Sequence, residues 1–276
     1  MLKGKKILLF SAPVKFMDIN EFNSREDCEL IFCNIRNISQ FEDFNRKEEL
    51  IGWLVNPCPE FFIDEKILKE LPNLKVLVTP STGKTHIDLD YCKSKNIIVK
   101  GLLESPVVSS ISASSEFSFL LCLAAIRKFN QAISSLQRGY WRDNEEALRG
   151  REICELSIGI IGFGRIGKNL ARYFSAMNSK IYIFDPFIEY FQDLTKNTEV
   201  AKDLNNLLEM SDVVITSVTL NETSLKMVND EFFNKMKTGS IYINTSRGDV
   251  VDENALLSAL RTGKISYCAL DVISGE

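Results

Sequence analysis

Three short stretches carry residues whose types and spacing can do chemistry. In SIGIIGFGRIGKNLARYF, residues 157–174, Gly162, Gly164 and Gly167 stand as G-x-G-x-x-G between an apolar run and a run of helical spacing. A glycine at the first position permits a tight turn, one at the second lets the backbone approach a pyrophosphate, and one at the third lets the helix pack on the sheet. The helix N-terminus then offers unpaired N–H groups and a positive dipole to phosphate oxygens. In KIYIFDP an apolar run ends on Asp185, at the remove from the glycines where a carboxylate holds the ribose diol of a dinucleotide. An acid there repels a 2′-phosphate, and Pro186 follows with no arginine beside it, so the pattern favours NAD over NADP. In INTSRGDVVDENAL, Arg247 follows a strand-like run and precedes a glycine turn, the place from which a side chain points into the crevice of an open α/β sheet. On the residues alone, a helix-capping acid remains open for Asp185 and a surface loop for Arg247.

These residues need a parallel sheet to carry them. KILLF, GWLV, KVLVT and NIIVKG are short β-prone runs, and helix-like segments such as DEKILKELPN lie between them. Such alternation is the pattern of parallel strands joined by crossover helices. SPVVSSISASSEF, small and polar, reads as a linker, and a long amphipathic helix is expected over Ser114–Arg138. A second α/β series follows in KIYIFDP, SDVVITSV, GSIYINTS and ISYCALDV. The expectation is two α/β domains, 1–104 and 105–276, each a Rossmann-like or flavodoxin-like parallel sheet, with the ligand site in the cleft between them. No repeat of fixed period and no low-complexity tract interrupts this pattern.

Composition narrows the classes. The 276 residues carry a net charge of −4, which argues against a nucleic-acid or anionic membrane surface as the main partner. Seven cysteines, none in a C-x-x-C pair, and one histidine, His86, argue against a metal site and a disulfide scaffold, and point to a cytoplasmic protein with reduced thiols. The start, MLKGKKILLF, imitates a leader but reads better as a first buried strand. FSFLLCLAAI, the longest apolar run, is too short to span a bilayer.

In this order, GFGRIGKNLA, YIFDP, SDVVITSV, INTSRGDVVDENAL and ALDVISGE resemble the D-isomer-specific 2-hydroxyacid dehydrogenases, the family that includes 3-phosphoglycerate and D-lactate dehydrogenases. The resemblance is strong over 150–276. It is looser before that, through LVTPSTGKTHIDLDYCKSKNIIVKG and ISASSEF. It implies an NAD-dependent oxidoreductase acting on a small 2-hydroxy or 2-oxo acid, with a substrate-binding first domain and an NAD-binding second domain. It also implies roles. Arg247 would grip the substrate carboxylate and polarise the keto oxygen, for which a guanidinium has the fork geometry. Ser81, Thr82 and Gly83 match the loop whose N–H groups meet that carboxylate. Phe163, Arg165 and Ile166 fall in the pyrophosphate turn, Thr245 and Ser246 would line the nicotinamide pocket, and Asp271 matches the acid near the nicotinamide amide. Ser217 stands where many members have histidine, Thr219 where proline is common, and Phe117 where some have histidine.

Glu276 matches the family's catalytic glutamate, which orients a general-acid histidine further along the chain. The working protein is therefore expected to be longer than the sequence given, or this is a shortened form. His86 sits near the Ser81–Gly83 loop, but its turn reads as a structural or helix-capping position. The family also implies a homodimer through the second domain, with GYWRDNEE as an arm. Two rival readings are an NAD-sensing corepressor without turnover and a related amino-acid dehydrogenase using Lys84. The former needs neither Arg247 nor Glu276, whose presence favours the enzyme.

Overall fold

Among the described residues, a five-stranded parallel sheet and a six-stranded parallel sheet organise the fold. The computed structural model describes residues 6–12, 28–142, 145–190 and 194–275. The chain divides into two compact units, Met1–Ser110 and Ile111–Glu276, where the sequence reading put the division near 104.

In the first unit the strands are β1 (Lys6–Phe10), β2 (Cys28–Phe32), β3 (Leu50–Leu54), β4 (Val76–Val78) and β5 (Ile98–Lys100). They lie in the order β2-β1-β3-β4-β5, every pair parallel, which is the flavodoxin-like arrangement. The core gathers Ile7, Leu9, Leu50 and Leu77 around Phe41 and Trp53, whose rings stack at 5.6 Å. The one polar atom of the Trp53 ring is satisfied, since Nε1 donates to Ser11 Oγ at 2.8 Å.

The second unit contributes β6 (Ser157–Ile161), β7 (Lys180–Phe184), β8 (Thr198–Val200), β9 (Val213–Thr216), β10 (Ser240–Asn244) and β11 (Ile265–Leu270). Their order is β11-β10-β9-β6-β7-β8, again all parallel. Counted within the unit this is the dinucleotide-fold order, with β6 first and β9 fourth as neighbours at the topological switch point. Covered on both faces, β9 is buried at every residue, so it reads in sequence as the unbroken apolar run VVIT.

The long helix expected over Ser114–Arg138 is two helices, Ala113–Ile126 and Phe129–Gln137. Lys128 between them adopts φ 50°, and a Cβ on Gly150 would stand 2.6 Å from the Ile126 carbonyl oxygen, so packing against Gly150 accompanies the break. Ala113–Ile126 does not divide into an apolar and a polar face: Ser115, Ser118, Cys122 and Ala125 are buried while Phe117 and Leu120 are exposed. The expected linker is not irregular, because Pro106–Ser110 forms a 3-10 segment. Pro106–Ile126 as a whole is long and apolar enough to cross a membrane by length and composition. Only its last 14 residues are α-helix, however, with a rise of about 21 Å against a hydrocarbon core of ~30 Å. That helix packs within its unit, Phe119 lying 5.1 Å from the Phe174 ring.

Candidate active site

The three glycines have three different geometries. Gly162 adopts φ +90°, a region that side chains rarely enter, and a Cβ there would lie 2.7 Å from the Ser217 carbonyl oxygen. Gly164 is the N-cap of the helix Arg165–Ala176, and a Cβ on it would meet nothing within 4 Å, so this backbone faces open space. Gly167 lies inside that helix, and its Cβ would be 2.2 Å from the Gly162 carbonyl oxygen. The turn, the open approach and the close helix packing that the spacing implies are all present. Phe163 is buried, Ile166 is half-buried, and Arg165 Nη1 donates to the Ile111 carbonyl.

A line of hydrogen bonds stitches five strand ends along the C-terminal edge of the second sheet. Asp185, just past β7, accepts from Phe163 N at 2.9 Å through Oδ2 and from Phe187 N at 3.0 Å through Oδ1. A carboxylate has about four acceptor positions, so two remain for hydroxyl donors. Pro186 beside it is exposed. Past β9, Ser217 Oγ donates to the Gly162 carbonyl at 2.8 Å, tying that strand end to the glycine loop. Thr216 Oγ1 donates to Asn244 Oδ1 at 3.0 Å, which joins β9 to β10, and Asp271 N donates to the Asn244 carbonyl at 2.9 Å, which joins β10 to β11. Asp271 itself is exposed.

Arg247 stands on the loop after β10. Ser246 is buried, and both its N–H and its hydroxyl donate to Asn244 Oδ1, at 2.9 and 2.7 Å. Thr245 Oγ1 donates to the buried Ser118 Oγ at 3.1 Å. Arg247 is half-buried, and its Nη1 donates to the Ser246 carbonyl at 2.6 Å. Among the described residues no carboxylate forms an ion pair with it, which leaves most of its fork for an external anion. Gly248 follows, where a Cβ would lie 2.0 Å from the Ile273 carbonyl carbon, so the segment after Asp271 rests on this turn. Glu276 lies outside the described residues.

In the first unit, Ser81, Thr82 and Gly83 form the loop after β4. Ser81 Oγ lies 2.8 Å from Thr79 Oγ1 and donates to the Gly83 carbonyl at 2.6 Å, which curls the loop. Among the described residues the N–H groups of these three residues have no acceptor, and successive unpaired N–H groups form a concavity suited to an anion. Lys84 is not a free amine: Nζ donates to Glu104, and chiefly that bond, with the Gly101 N–H, holds the Glu104 carboxyl down to about 2. His86 does not cap the helix Leu89–Ser94, a task Asp88 performs by accepting from Tyr91 N at 2.8 Å. Its Nε2 is buried and has no partner among the described residues, and burial lowers its pKa.

Asn244, Thr216 and Tyr242 are residues to which sequence reasoning gave no role. The signal for Asn244 was an amide ending an otherwise apolar run, immediately before Thr245, Ser246 and Arg247. An amide at a buried strand end needs hydrogen-bond partners, and here the adjoining turn supplies three, from Ser246 N, Ser246 Oγ and the Arg247 carbonyl, and Thr216 on β9 a fourth.

Comparison with known proteins agrees with this geometry. Residues 7–117 match the model of the D-isomer specific 2-hydroxyacid dehydrogenase catalytic domain, and residues 119–276 match the NAD binding domain of the same family. A glyoxylate reductase of Thermofilum pendens is 37% identical over 219 residues, covering 78% of this chain and 62% of the relative. A D-3-phosphoglycerate dehydrogenase of Methanocaldococcus jannaschii is 33% identical over 214 residues, covering 78% of this chain and 40% of the relative. The chain thus spans between two-fifths and two-thirds of the length of these curated relatives. Among solved structures, the D-lactate dehydrogenase of Aquifex aeolicus complexed with NAD and lactic acid superposes with a TM-score of 0.78 at 28% identity, covering 98% of this chain and 78% of that one.

Proposed function

The chain belongs to the D-isomer specific 2-hydroxyacid dehydrogenase family, and from that premise we propose that it transfers a hydride between NAD(H) and a small 2-hydroxy or 2-oxo acid. The observation that carries this reading is Arg247, a half-buried guanidinium without a carboxylate partner among the described residues, on a loop fixed by hydrogen bonds along the same sheet edge as the glycine turn. NAD, when bound, supplies or accepts the hydride. The chain's own part is positioning and electrostatics. The backbone at Gly164 and the helix N-terminus would hold the pyrophosphate, and Asp185 the ribose diol. Arg247 would hold the substrate carboxylate and draw charge toward the keto oxygen; in the first unit, the N–H groups of Ser81–Gly83, unpaired among the described residues, are themselves suited to an anionic group. Addition of a small 2-oxo acid should make the protein consume NADH; NADH binding without consumption across a panel of such acids would overturn the proposal.

The cofactor preference follows from Asp185. Hydrogen bonds to a charged acceptor contribute ~1.5–3 kcal/mol, and a 2′-phosphate adds like-charge repulsion. NADH should therefore bind at least ~10-fold tighter than NADPH, which needs only ~1.4 kcal/mol. Equal affinities in calorimetry would remove Asp185 from this role.

A homodimer through the second unit is part of the proposal. Phe117, Leu120, Phe129, Ile133, Leu136 and Trp141 are all exposed on one stretch of chain, and large apolar side chains left open together suit an interface. Asp143 and Asn144, in the expected arm, lie outside the described residues. Analytical ultracentrifugation should give a dimer that Leu120→Asp shifts toward monomer; an unchanged mass would place the interface elsewhere. The seven cysteines are free thiols, which supports a cytoplasmic location.

A further inference from the structure

We infer that Asn244 is the positioning residue that fixes Arg247 and Asp271 together, through a buried chain of hydrogen bonds that begins at Tyr242. The inference rests on the functional reading above. Asn244 is fully buried, and each end of its amide is assigned by a backbone group of fixed polarity. The Ser246 N–H can only donate, so the atom 2.9 Å from it is the oxygen; the Arg247 carbonyl can only accept, so the atom 3.0 Å from it is the nitrogen. Oδ1 takes two further protons, from Ser246 Oγ at 2.7 Å and Thr216 Oγ1 at 3.0 Å. Having given its proton to Asn244, Thr216 accepts from the Tyr242 hydroxyl at 3.0 Å. Tyr242 is fully buried, and burial raises its pKa, so it stays a neutral donor. The Ile243 carbonyl also lies within reach of Thr216 Oγ1, at 3.4 Å, but Asn244 Oδ1 at 3.0 Å is the nearer acceptor, so the chain runs from Tyr242 to Thr216, from Thr216 to Asn244, and from Asn244 Nδ2 to the Arg247 carbonyl.

The same residue reaches the next strand end. Its backbone carbonyl takes the Asp271 N–H at 2.9 Å. One buried side chain thus sets where the guanidinium leaves the backbone, and its own peptide group sets where the Asp271 segment starts. Aspartate has nearly the same shape but no N–H to give. It would turn a carboxylate oxygen toward the Arg247 carbonyl and loosen the loop. A misplacement of about 1 Å at a reacting group can cost about 10²-fold in rate. Asn244 touches neither substrate nor cofactor, and its bond to Asp271 is made by the backbone and survives a side-chain substitution, so the effect of Asn244→Asp must pass through the Arg247 loop.

The test uses the full-length protein and measures NADH affinity, kcat and KM for a 2-oxo acid, and binding of oxamate, an unreactive 2-oxo acid mimic, to the NADH complex. Asn244→Asp should lower kcat/KM by about 10²-fold and weaken oxamate binding, with NADH affinity within about twofold of wild type. Thr216→Val should lose activity in the same direction while Thr216→Ser keeps it, a comparison that still decides the matter if Asn244→Asp folds poorly. In an Arg247→Lys background, Asn244→Asp should add less than about threefold. Full additivity of the two substitutions, a parallel loss of NADH affinity, or equal activity of Thr216→Val and Thr216→Ser would each overturn the inference. A wild-type protein that neither binds oxamate nor oxidises NADH would instead overturn the functional reading itself, and this inference with it.

Discussion

Replacing Arg247 with lysine is expected to lower turnover of NADH with any accepted 2-oxo acid by about 10²-fold or more, the scale of losing one transition-state donor. Lysine keeps the charge and loses the planar fork, and a carboxylate is held by two parallel N–H donors in a way that a point charge does not reproduce. NADH affinity should stay at its wild-type value, because the glycine loop and Asp185 are tied to each other through Phe163 rather than through Arg247. The two readouts separate the explanations: steady-state kinetics should move and NADH titration should not. A lysine variant as active as wild type on every accepted acid would put Arg247 outside the site.

Gly167→Ala should damage the cofactor end as severely as Arg247→Lys damages the substrate end. The new methyl would sit 2.2 Å from the Gly162 carbonyl oxygen and 3.3 Å from Ser217 Oγ. The first of these is backbone in a turn already at φ +90°, so the helix or the turn must move. Overpacking of this kind costs typically 1–3 kcal/mol, enough to weaken NADH binding by roughly 10- to 10²-fold if the shift falls on the phosphate turn. Gly164→Ala is the matched comparison. Its methyl meets nothing within 4 Å, so thermal stability should hold, yet it would stand where the pyrophosphate must approach. NADH titration with parallel melting curves should show Gly167→Ala losing both affinity and stability, and Gly164→Ala losing affinity alone. Unchanged affinity in both would mean that the dinucleotide does not lie over this turn.

The parts legible in the sequence are those where a local pattern and the tertiary environment make the same demand. β6, β7, β9 and β10 are central strands, and burial on both faces forces the apolar runs that identify them. β2 and β8 are edge strands and passed unnoticed. CELIF is only half-buried throughout and TEV has three residues, so neither needs an apolar run. The break at Lys128 was illegible for a different reason: it accompanies the packing of Gly150, distant in sequence, onto the end of the preceding helix. At the site, glycine spacing and strand-end charges were readable because the chemistry restricts residue type. Asn244 was not, because its importance lies in partners from β9, β11 and its own turn, and pairing across strands leaves no spacing to read.

The central claim is hydride transfer, and isotope transfer addresses it most directly. The full-length protein would be given NADH deuterated at its transferable position together with a 2-oxo acid that it consumes, and the product analysed by mass spectrometry and chiral chromatography. The product should be a D-2-hydroxy acid with one deuterium on the carbon that bears the hydroxyl, in amount equal to the NADH oxidised. A product without the label, or NADH bound and never oxidised by any 2-oxo acid, would contradict it.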